Sequence, residues 1–229
     1  MNKITILICD DHAIVRAGLR LLLEADGDIL VVGEAANGQQ AVQEAKRLGP
    51  QVVLLDLAMP LLNGVEAARR ITSEVPLTRV LALSAYSDEQ HVRNAVQAGV
   101  AGYLVKQTAA DNLLRAVRET AGGNAFFSPS ICQHLLTQWH GTFSEAVQAR
   151  KVTAPLTRRQ SEIFQLIAEG YLTKQIAAVL SLSLKTVSKH RQSLMLKLKV
   201  HNIATLTRQA ISRGIIESGC IPNLASLSA

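Results

Sequence analysis

Five short apolar segments, each of strand length and bounded by polar residues or glycine, dominate the first half of this 229-residue chain. They span residues 4–9, 28–35, 51–56, 79–84 and 102–105. The stretches between them carry apolar residues at helical spacing, as at Val15, Leu19 and Leu22. Strands that are apolar almost throughout are typical of a parallel sheet with helices on both faces. The first half is therefore predicted to be an α/β domain with a five-stranded parallel sheet.

Polar side chains follow four of these strands at their carboxyl ends. They are Asp10 and Asp11 after the first strand, Asp56 at the end of the third, Ser84 at the end of the fourth and Lys106 after the fifth. Ligands of open parallel sheets bind outside those ends, where the strand order reverses. A strand order of 2-1-3-4-5 would bring the three carboxylates together, and Mg²⁺ would relieve their repulsion. The lysine and the serine hydroxyl would face the same pocket, which suits a phosphoryl group.

Basic residues are concentrated at one end of the chain. Residues 1–125 carry 12 basic and 14 acidic side chains, a net −2, whereas residues 150–229 carry 12 basic and 3 acidic ones, a net +9. A domain with such an excess attracts polyanions. Nucleic acid is the usual polyanion, although an anionic membrane surface or a solvated basic face would also satisfy the charge alone.

The sequence shows no sign of export or membrane insertion. No apolar run reaches the ~18 residues that a membrane span requires, and acidic residues interrupt the N-terminal segment where a signal peptide would stay apolar. The cysteines, Cys9, Cys132 and Cys220, are far apart and form no CxxC motif. We therefore expect a soluble, cytoplasmic protein with free thiols and no membrane partner.

From Leu156 onward the apolar pattern is helical throughout. A first helix is predicted after Thr157, which fits a capping box with Gln160 three residues later. A short helix over about 174–180 and, after a turn, a longer helix over about 184–198 follow. The longer helix presents a polar, cationic face formed by Lys185, Ser188, Lys189 and Gln192. This arrangement is typical of a helix-turn-helix whose second helix enters the major groove.

A resemblance to bacterial response-regulator receiver domains covers residues 1–121 and is carried by the segments ICDDH, VVLLDLAMPLLNG, VLALSAY and AGYLVK. The resemblance implies a flavodoxin-like fold. It also implies that Asp56 accepts a phosphoryl group from a sensor histidine kinase. The Mg²⁺ ligands that it implies are Asp10, Asp11, Asp56 and the backbone carbonyl of Ala58.

The same resemblance gives roles to three further residues. Ser84 and Lys106 would contact the phosphoryl oxygens, and Tyr103 fills the family's aromatic switch position. In that switch, Ser84 moves to the phosphoryl group and the Tyr103 ring occupies the space that it leaves. The movement would bias the helix over 88–98 and the strand over 102–105 toward an active surface. The alternative for Tyr103 is an ordinary half-buried ring.

A second resemblance, to the output domain of LuxR-type regulators of the NarL/FixJ subfamily, is carried by LTRRQSEIFQLIAEGYLTKQIAAVLSLSLKTVSKHRQSLMLKL and by VHNIATLTRQAI, which looks like the fourth helix. It implies that the recognition helix begins at Thr186 and Val187. The residues expected at bases or phosphates are Lys185, Thr186, Ser188, Lys189, Arg191 and Gln192. His190 either supports backbone contact or packs as a partly buried side chain. Three positions of this domain depart from the family: Gln160 replaces a common glutamate, Ser188 stands where many relatives have a basic residue, and Lys199 replaces a glycine that would cap the recognition helix easily.

Four segments are expected along the chain: a receiver domain over 1–121, a linker with a short helix over 122–153, a helix-turn-helix domain over 154–217 and a tail over 218–229. Together they predict a transcription factor that accepts a phosphoryl group, not an enzyme with a separate substrate. Phosphorylation of Asp56 is expected to shift an existing equilibrium so that homodimers bind double-stranded promoter DNA. RNA polymerase is a candidate further partner.

Three other functions stay open at this point. A regulator could bind DNA without phosphorylation, and a signalling adaptor could use the second domain for protein contacts. A phosphatase of the haloacid dehalogenase type combines the same residue types but carries a D-x-D motif on its first strand. Here the candidate nucleophile lies on the third strand, and the residue two positions after Asp56 is Ala58. That departure disfavours the phosphatase.

Overall fold

The computed structural model describes residues 3–85, 89–107, 110–128, 131, 156–200, 202–213 and 215–216. Residue contacts divide the chain into two compact units, Met1–Gly141 and Thr142–Ala229. Among the described residues, no helix combines the length and the apolar character needed to cross a bilayer.

The N-terminal unit is a parallel sheet with helices on both faces. Its strands are β1 (Ile4–Cys9), β2 (Ile29–Ala35), β3 (Val52–Asp56), β4 (Arg79–Ser84), β5 (Gly102–Val105) and β6 (Phe126–Phe127). Its helices are α1 (Ala13–Glu24), α2 (Gly38–Leu48), α3 (Gly64–Glu74), α4 (Glu89–Gln97) and α5 (Ala110–Ala121). The strand order is β2-β1-β3-β4-β5-β6, and every pair is parallel. The predicted flavodoxin-like α/β class is confirmed.

Both faces of the sheet are buried, which is why its strands are apolar almost throughout. Leu7 and Val53 belong to one core cluster, together with buried residues of α2, α3 and α4. Ile8 and Leu54, whose side chains point to the opposite face, belong to a second cluster with α1 and α5. The helices therefore lie on the two faces in the way that doubly wound folds require.

The sheet has six strands among the described residues, one more than predicted. The additional strand, β6, lies in the segment that was expected to be linker, and it pairs Gly102 with Phe126 and Tyr103 with Phe127. Gly102 permits this approach, because a Cβ atom there would lie 2.7 Å from the carbonyl oxygen of Phe126. A strand of two residues is too short to leave a periodic signal. The short helix predicted over about 129–139 lies, apart from Ile131, outside the described residues.

Four helices form the described part of the C-terminal unit, as predicted. They are α6 (Arg158–Ala168), α7 (Thr173–Val179), α8 (Leu184–Leu198) and α9 (Ile203–Ser212). The expected inward positions are buried, among them Ile163 and Leu166 of α6, Ile176 of α7 and Val187 and Leu194 of α8. These apolar contacts fix the angle between the short α7 and the longer α8 and so define the helix-turn-helix.

Hydroxyl side chains cap the N-termini of α6 and α8. The Thr157 hydroxyl accepts a hydrogen bond from the Gln160 amide at 3.2 Å, and the Gln160 side chain accepts one from the Thr157 amide at 3.0 Å. This reciprocal pair is the predicted capping box. Ser183 caps α8 by accepting a hydrogen bond from the Thr186 amide at 3.1 Å. At the other end of α8, Lys199 adopts the left-handed conformation with φ 54°, in the place where glycine would be unstrained.

Candidate functional sites

A buried acidic pocket lies at the carboxyl edge of the N-terminal sheet, where β1, β3 and β5 end. Asp10 is 0% and Asp56 is 1% exposed, and both face the amine of Lys106. The Lys106 Nζ atom donates hydrogen bonds to Asp10 Oδ2 at 2.9 Å and to Asp56 Oδ2 at 2.8 Å. This acidic pocket consists of Asp10, Asp11, Asp56 and Lys106.

Tight backbone packing holds Asp56 in place. The Ala58 amide donates a hydrogen bond to Asp56 Oδ1 at 3.1 Å, and the Gly64 amide donates one to the Leu57 carbonyl at 3.0 Å. The first turn of α3 lies against β3 so closely that a Cβ atom on Gly64 would be 2.1 Å from the Asp56 carbonyl oxygen. The loop between them contains Leu61 in the left-handed region, with φ 66°. The loop is thus fixed by backbone contacts that leave little freedom around the Asp56 side chain.

The turn after β1 is fixed by an arginine from α1. The His12 amide donates a hydrogen bond to Asp10 Oδ1 at 2.8 Å, and Arg16 Nη1 donates one to the Asp10 carbonyl oxygen at 2.8 Å. Glu34 of β2 accepts from Arg20 Nε at 2.8 Å and from Arg16 Nε at 3.1 Å. The bond from Arg20, reinforced by the bond from Arg16, lowers the pKa of the Glu34 carboxyl. Glu34 therefore stays charged and anchors Arg16 against the turn.

Burial and hydrogen bonding shift the pKa values of Asp56 and Lys106 in opposite directions. Burial raises the pKa of Asp56 to about 6, although the hydrogen bond from Lys106 acts in the opposite direction. Burial also disfavours the charge on Lys106, but the hydrogen bonds to Asp56 and Asp10 outweigh it and raise the lysine pKa. A fixed positive charge is consequently held next to an oxygen nucleophile that is partly desolvated.

The carboxylate oxygen atoms of Asp10 and Asp11 suit a hard divalent cation. Ligand atoms of Asp10, Asp11 and His12 lie within 4.8 Å of one another. Asp11 Oδ1 is buried and accepts no hydrogen bond, while His12 Nδ1 lies 2.9 Å from it and 3.2 Å from Asp10 Oδ1, with which it is hydrogen-bonded. A buried carboxylate oxygen without a donor fits a cation such as Mg²⁺, which prefers oxygen ligands. Asp56, which was predicted as a third ligand, is not part of this cluster of ligand atoms, and the Lys106 amine links it to Asp10 by bonding both carboxylates. His12, which directly follows Asp10 and Asp11, was not identified from the sequence.

Ser84 and Tyr103 lie on the two strands next to the pocket. Ser84 is buried at the end of β4, and its carbonyl oxygen accepts a hydrogen bond from the Lys106 amide at 2.7 Å. Tyr103 pairs with Ala82 of β4, and its side chain is wholly buried in the first core cluster. The ring is therefore fully buried instead of half-buried, since α4 and the other helices of that face cover it.

The predicted nucleic-acid face of α8 divides into two groups. The first group is exposed to solvent and consists of Lys185, Ser188, Lys189 and Gln192. The second group contacts the domain itself: the Thr186 hydroxyl lies 2.8 Å from the Ser183 hydroxyl, and Arg191 Nη1 donates to Thr173 Oγ1 at 3.2 Å. His190 is half-buried. Arg191 thus joins α8 to the first residue of α7, a contact that sequence spacing could not reveal.

Gln160 fits its surroundings as an amide. Its Nε2 donates to the Ser193 hydroxyl at 3.2 Å, and its Oε1 accepts from Lys197 Nζ at 3.2 Å. The amide therefore joins α6 to α8 as a donor and an acceptor at once, whereas a glutamate could only accept.

Comparison with known families identifies both domains. Residues 6–118 match the response regulator receiver domain, and residues 154–210 match the bacterial regulatory proteins of the luxR family. The chain belongs to the bacterial response regulators that join a receiver to a LuxR-type DNA-binding domain. Within that class it is a NarL-type transcriptional regulator, as its relatives indicate.

Two relatives align over nearly the whole chain. The transcriptional regulatory protein DegU of Brevibacillus brevis is 33% identical over 227 residues, which cover 94% of this chain and 96% of the relative. The response regulator protein VraR of Staphylococcus aureus is 34% identical over 214 residues, which cover 93% of this chain and 99% of the relative.

Solved structures show the same architecture. An RcsB response regulator of Salmonella typhimurium matches with a TM-score of 0.56 and 27% identity, over 93% of this chain and 100% of that one. RcsB of Salmonella enterica serovar Typhimurium, bound to the promoter rprA in the presence of phosphomimetic BeF3−, matches with a TM-score of 0.56 and 26% identity. The match covers 90% of this chain and 98% of that one.

Proposed function

We propose that this two-component response regulator is switched by phosphorylation of Asp56, supplied by a sensor histidine kinase. The observation that carries the proposal is the Lys106 amine, which bonds both Asp10 and Asp56 inside a buried pocket. A carboxylate oxygen of Asp56 attacks the phosphorus, and the bond from phosphorus to the kinase histidine nitrogen breaks. Lys106 neutralises the phosphoryl oxygens as charge redistributes, and the Ser84 hydroxyl donates to one of them.

Asp10, Asp11, Asp56 and the Ala58 carbonyl would hold Mg²⁺, for which the donorless oxygen of Asp11 is the supporting observation. The ion supplies electrostatic stabilisation of the phosphoryl oxygens. The receiver itself catalyses phosphotransfer and dephosphorylation, and no separate substrate is required.

The signal leaves the pocket through Ser84 and Tyr103. When Ser84 turns to the phosphoryl group, the space that it leaves accepts the Tyr103 ring, and the surface formed by α4 and β5 changes. Because the ring is wholly buried, its displacement must move neighbouring core residues as well. The two receiver states coexist before phosphorylation, and the modification shifts their populations.

The response is DNA binding by α8 in a homodimer. Lys185, Ser188, Lys189 and Gln192 are exposed and would reach base edges or phosphates in the major groove. Thr186 and Arg191 support that contact from their positions against Ser183 and Thr173. The protein would act in the cytoplasm, where the kinase, promoter DNA and RNA polymerase meet.

The experiment compares wild type with Asp56→Asn after treatment with acetyl phosphate and Mg²⁺. Phosphorylation is followed by intact mass and DNA binding by mobility shift on promoter fragments. Wild type should gain about 80 Da, the mass of one phosphoryl group, and bind DNA more tightly, whereas Asp56→Asn should show neither change. Lys189→Ala should bind weakly although its receiver is phosphorylated. A phosphorylated protein whose DNA affinity does not change, or does not fall as salt rises, would contradict the proposal.

A further inference from the structure

Two large apolar side chains of α8 are exposed, Leu184 at its first residue and Leu196 near its end, and Leu196 lies among the cationic and polar residues. Leu196 is 73% exposed. Positions at i, i+4, i+7 and i+11 share one face of an α-helix, so Leu196 lies in line with Lys185, Lys189 and Gln192. Its position on the helix is therefore that of the residues proposed to face DNA.

A groove runs beside this part of α8. Leu196 lines it together with the apolar Met195 and Val200 and with Ser188, Arg191, Gln192 and Lys199, and Thr173 of α7 lines it as well. Arg191 and Lys199 are cationic, and Leu196 is the most exposed of the three apolar residues. A partner that fills the groove must supply negative charge and an apolar contact within a single turn of the helix.

Duplex DNA meets both requirements. Its phosphates pair with the cations, and the thymine C5-methyl is the apolar group that base edges present in the major groove. A leucine buried against that methyl removes apolar surface of both from water. Gln192, about one turn before Leu196, carries the amide that pairs with an adenine edge. The C-terminal half of the face thus matches A·T pairs.

We propose that Leu196 is a specificity-determining residue that packs against the C5-methyl of a thymine in the target duplex. The inference rests on the proposed role of α8 in DNA binding and goes beyond it by naming what this side chain selects. No base hydrogen bond is required, because the discrimination comes from one methyl group.

The test uses the full-length protein phosphorylated with acetyl phosphate and Mg²⁺. Duplexes are selected from a random pool, and each thymine of the selected duplex is then replaced singly by deoxyuridine, which lacks the methyl group. Wild type should lose about four-fold in affinity at one thymine per half-site, the effect of leaving one methyl group in water. Leu196→Ala should bind the thymine and deoxyuridine duplexes equally at that position.

Two further variants control the experiment. Leu196→Met keeps an apolar side chain and should retain the thymine preference. Ile211→Ala removes an exposed apolar side chain of α9, outside the α8 face, and should leave the preference unchanged. Circular dichroism establishes that the variants are folded, as expected for substitutions at exposed positions.

The inference would be overturned if wild type bound every deoxyuridine duplex as tightly as the thymine duplex. It would also be overturned if Leu196→Ala kept the wild-type preference at the same thymine. Either result would leave the proposed function standing. Failure of the phosphorylated wild type to enrich any duplex would overturn the proposed function and this inference together.

Discussion

Arg16 Nη1 donates a hydrogen bond of 2.8 Å to the backbone carbonyl oxygen of Asp10. This contact ties α1 to the turn from which the acidic pair projects. Arg20, one helical turn later, shares the Glu34 carboxylate with Arg16, but its hydrogen bonds go to Glu34, Glu24 and the Val31 carbonyl, away from the turn. The two arginines therefore form a matched pair for testing whether the turn must be held for the cation site to work.

We expect Arg16→Met to weaken Mg²⁺ binding about ten-fold, because residues that orient metal ligands contribute on that scale. The loss of the bond to the Asp10 carbonyl should also destabilise the fold by about 1–3 kcal/mol. Arg20→Met, which leaves the Asp10 contact intact, should bind Mg²⁺ like wild type. Calorimetric Mg²⁺ titration and urea unfolding measure both effects. Equal Mg²⁺ affinity in the two variants would show that the turn does not depend on Arg16.

The stability of the metal-free protein should depend on pH through Asp56. Its pKa in the folded protein is about 6, against an ordinary value of 3.8. Because the folded pKa is the higher one, the stability that this group contributes is complete below pH ~4 and is lost as pH rises through ~6. Asp56→Asn cannot ionise, so it should gain stability over wild type by about 3 kcal/mol between pH ~4 and ~7.

Urea unfolding in EDTA at several pH values checks this dependence. Asp28→Asn is the opposite control, since the hydrogen bond from Arg118 lowers the pKa of that exposed carboxyl. That variant should lose stability relative to wild type as pH rises through the acidic range. A difference between wild type and Asp56→Asn that stays constant with pH would contradict the raised pKa.

Replacement by alanine should destabilise the protein at Gly64 and stabilise it at Gly18. At Gly64 the new Cβ would lie 2.1 Å from the Asp56 carbonyl oxygen, which is backbone and cannot move aside cheaply. We expect Gly64→Ala to cost more than about 3 kcal/mol and to slow phosphorylation. Gly18, within α1, has nothing within 4 Å of the new Cβ, so Gly18→Ala should stabilise by about 0.5–1 kcal/mol. Thermal unfolding and acetyl phosphate labelling distinguish the two, and a neutral Gly64→Ala would refute the close approach.

The end of α8 should tolerate glycine better than its native residue. Lys199 has φ 54°, which costs a side-chain-bearing residue about 1 kcal/mol, so Lys199→Gly should stabilise the protein by about that amount. Lys199→Ala removes the same charge and keeps the strained Cβ, so it should bring no such gain. Thermal unfolding of the two variants isolates the backbone effect. Equal melting temperatures would exclude a cost of the left-handed conformation.

The residues of the acidic pocket were predictable because strand ends are visible in the apolar pattern. Asp10 and Lys106 each follow a strand and Asp56 is the last residue of one, and a parallel sheet gathers such ends at one edge. The backbone requirement at Lys199 was indicated differently, by the resemblance to LuxR-type output domains, in which a glycine usually follows the recognition helix. The strand-end pattern is a consequence of local structure and periodicity.

Long-range contacts of polar side chains left no such signal. Arg16 looks like any arginine on an amphipathic helix, and the bond from Arg191 to Thr173 joins residues of separate helices. The complete burial of Tyr103 depends on which helices cover its face of the sheet. Each of these features follows from tertiary packing, which spacing along the chain does not encode.

The short strand β6 affects how the receiver should be isolated for study. A fragment cut at residue 121, where α5 ends, would remove Phe126 and Phe127 and leave the backbone groups of Gly102 and Tyr103 unpaired at an open edge. Open edges recruit other strands and promote aggregation. Fragments intended for spectroscopy or crystallisation should therefore continue past Phe127.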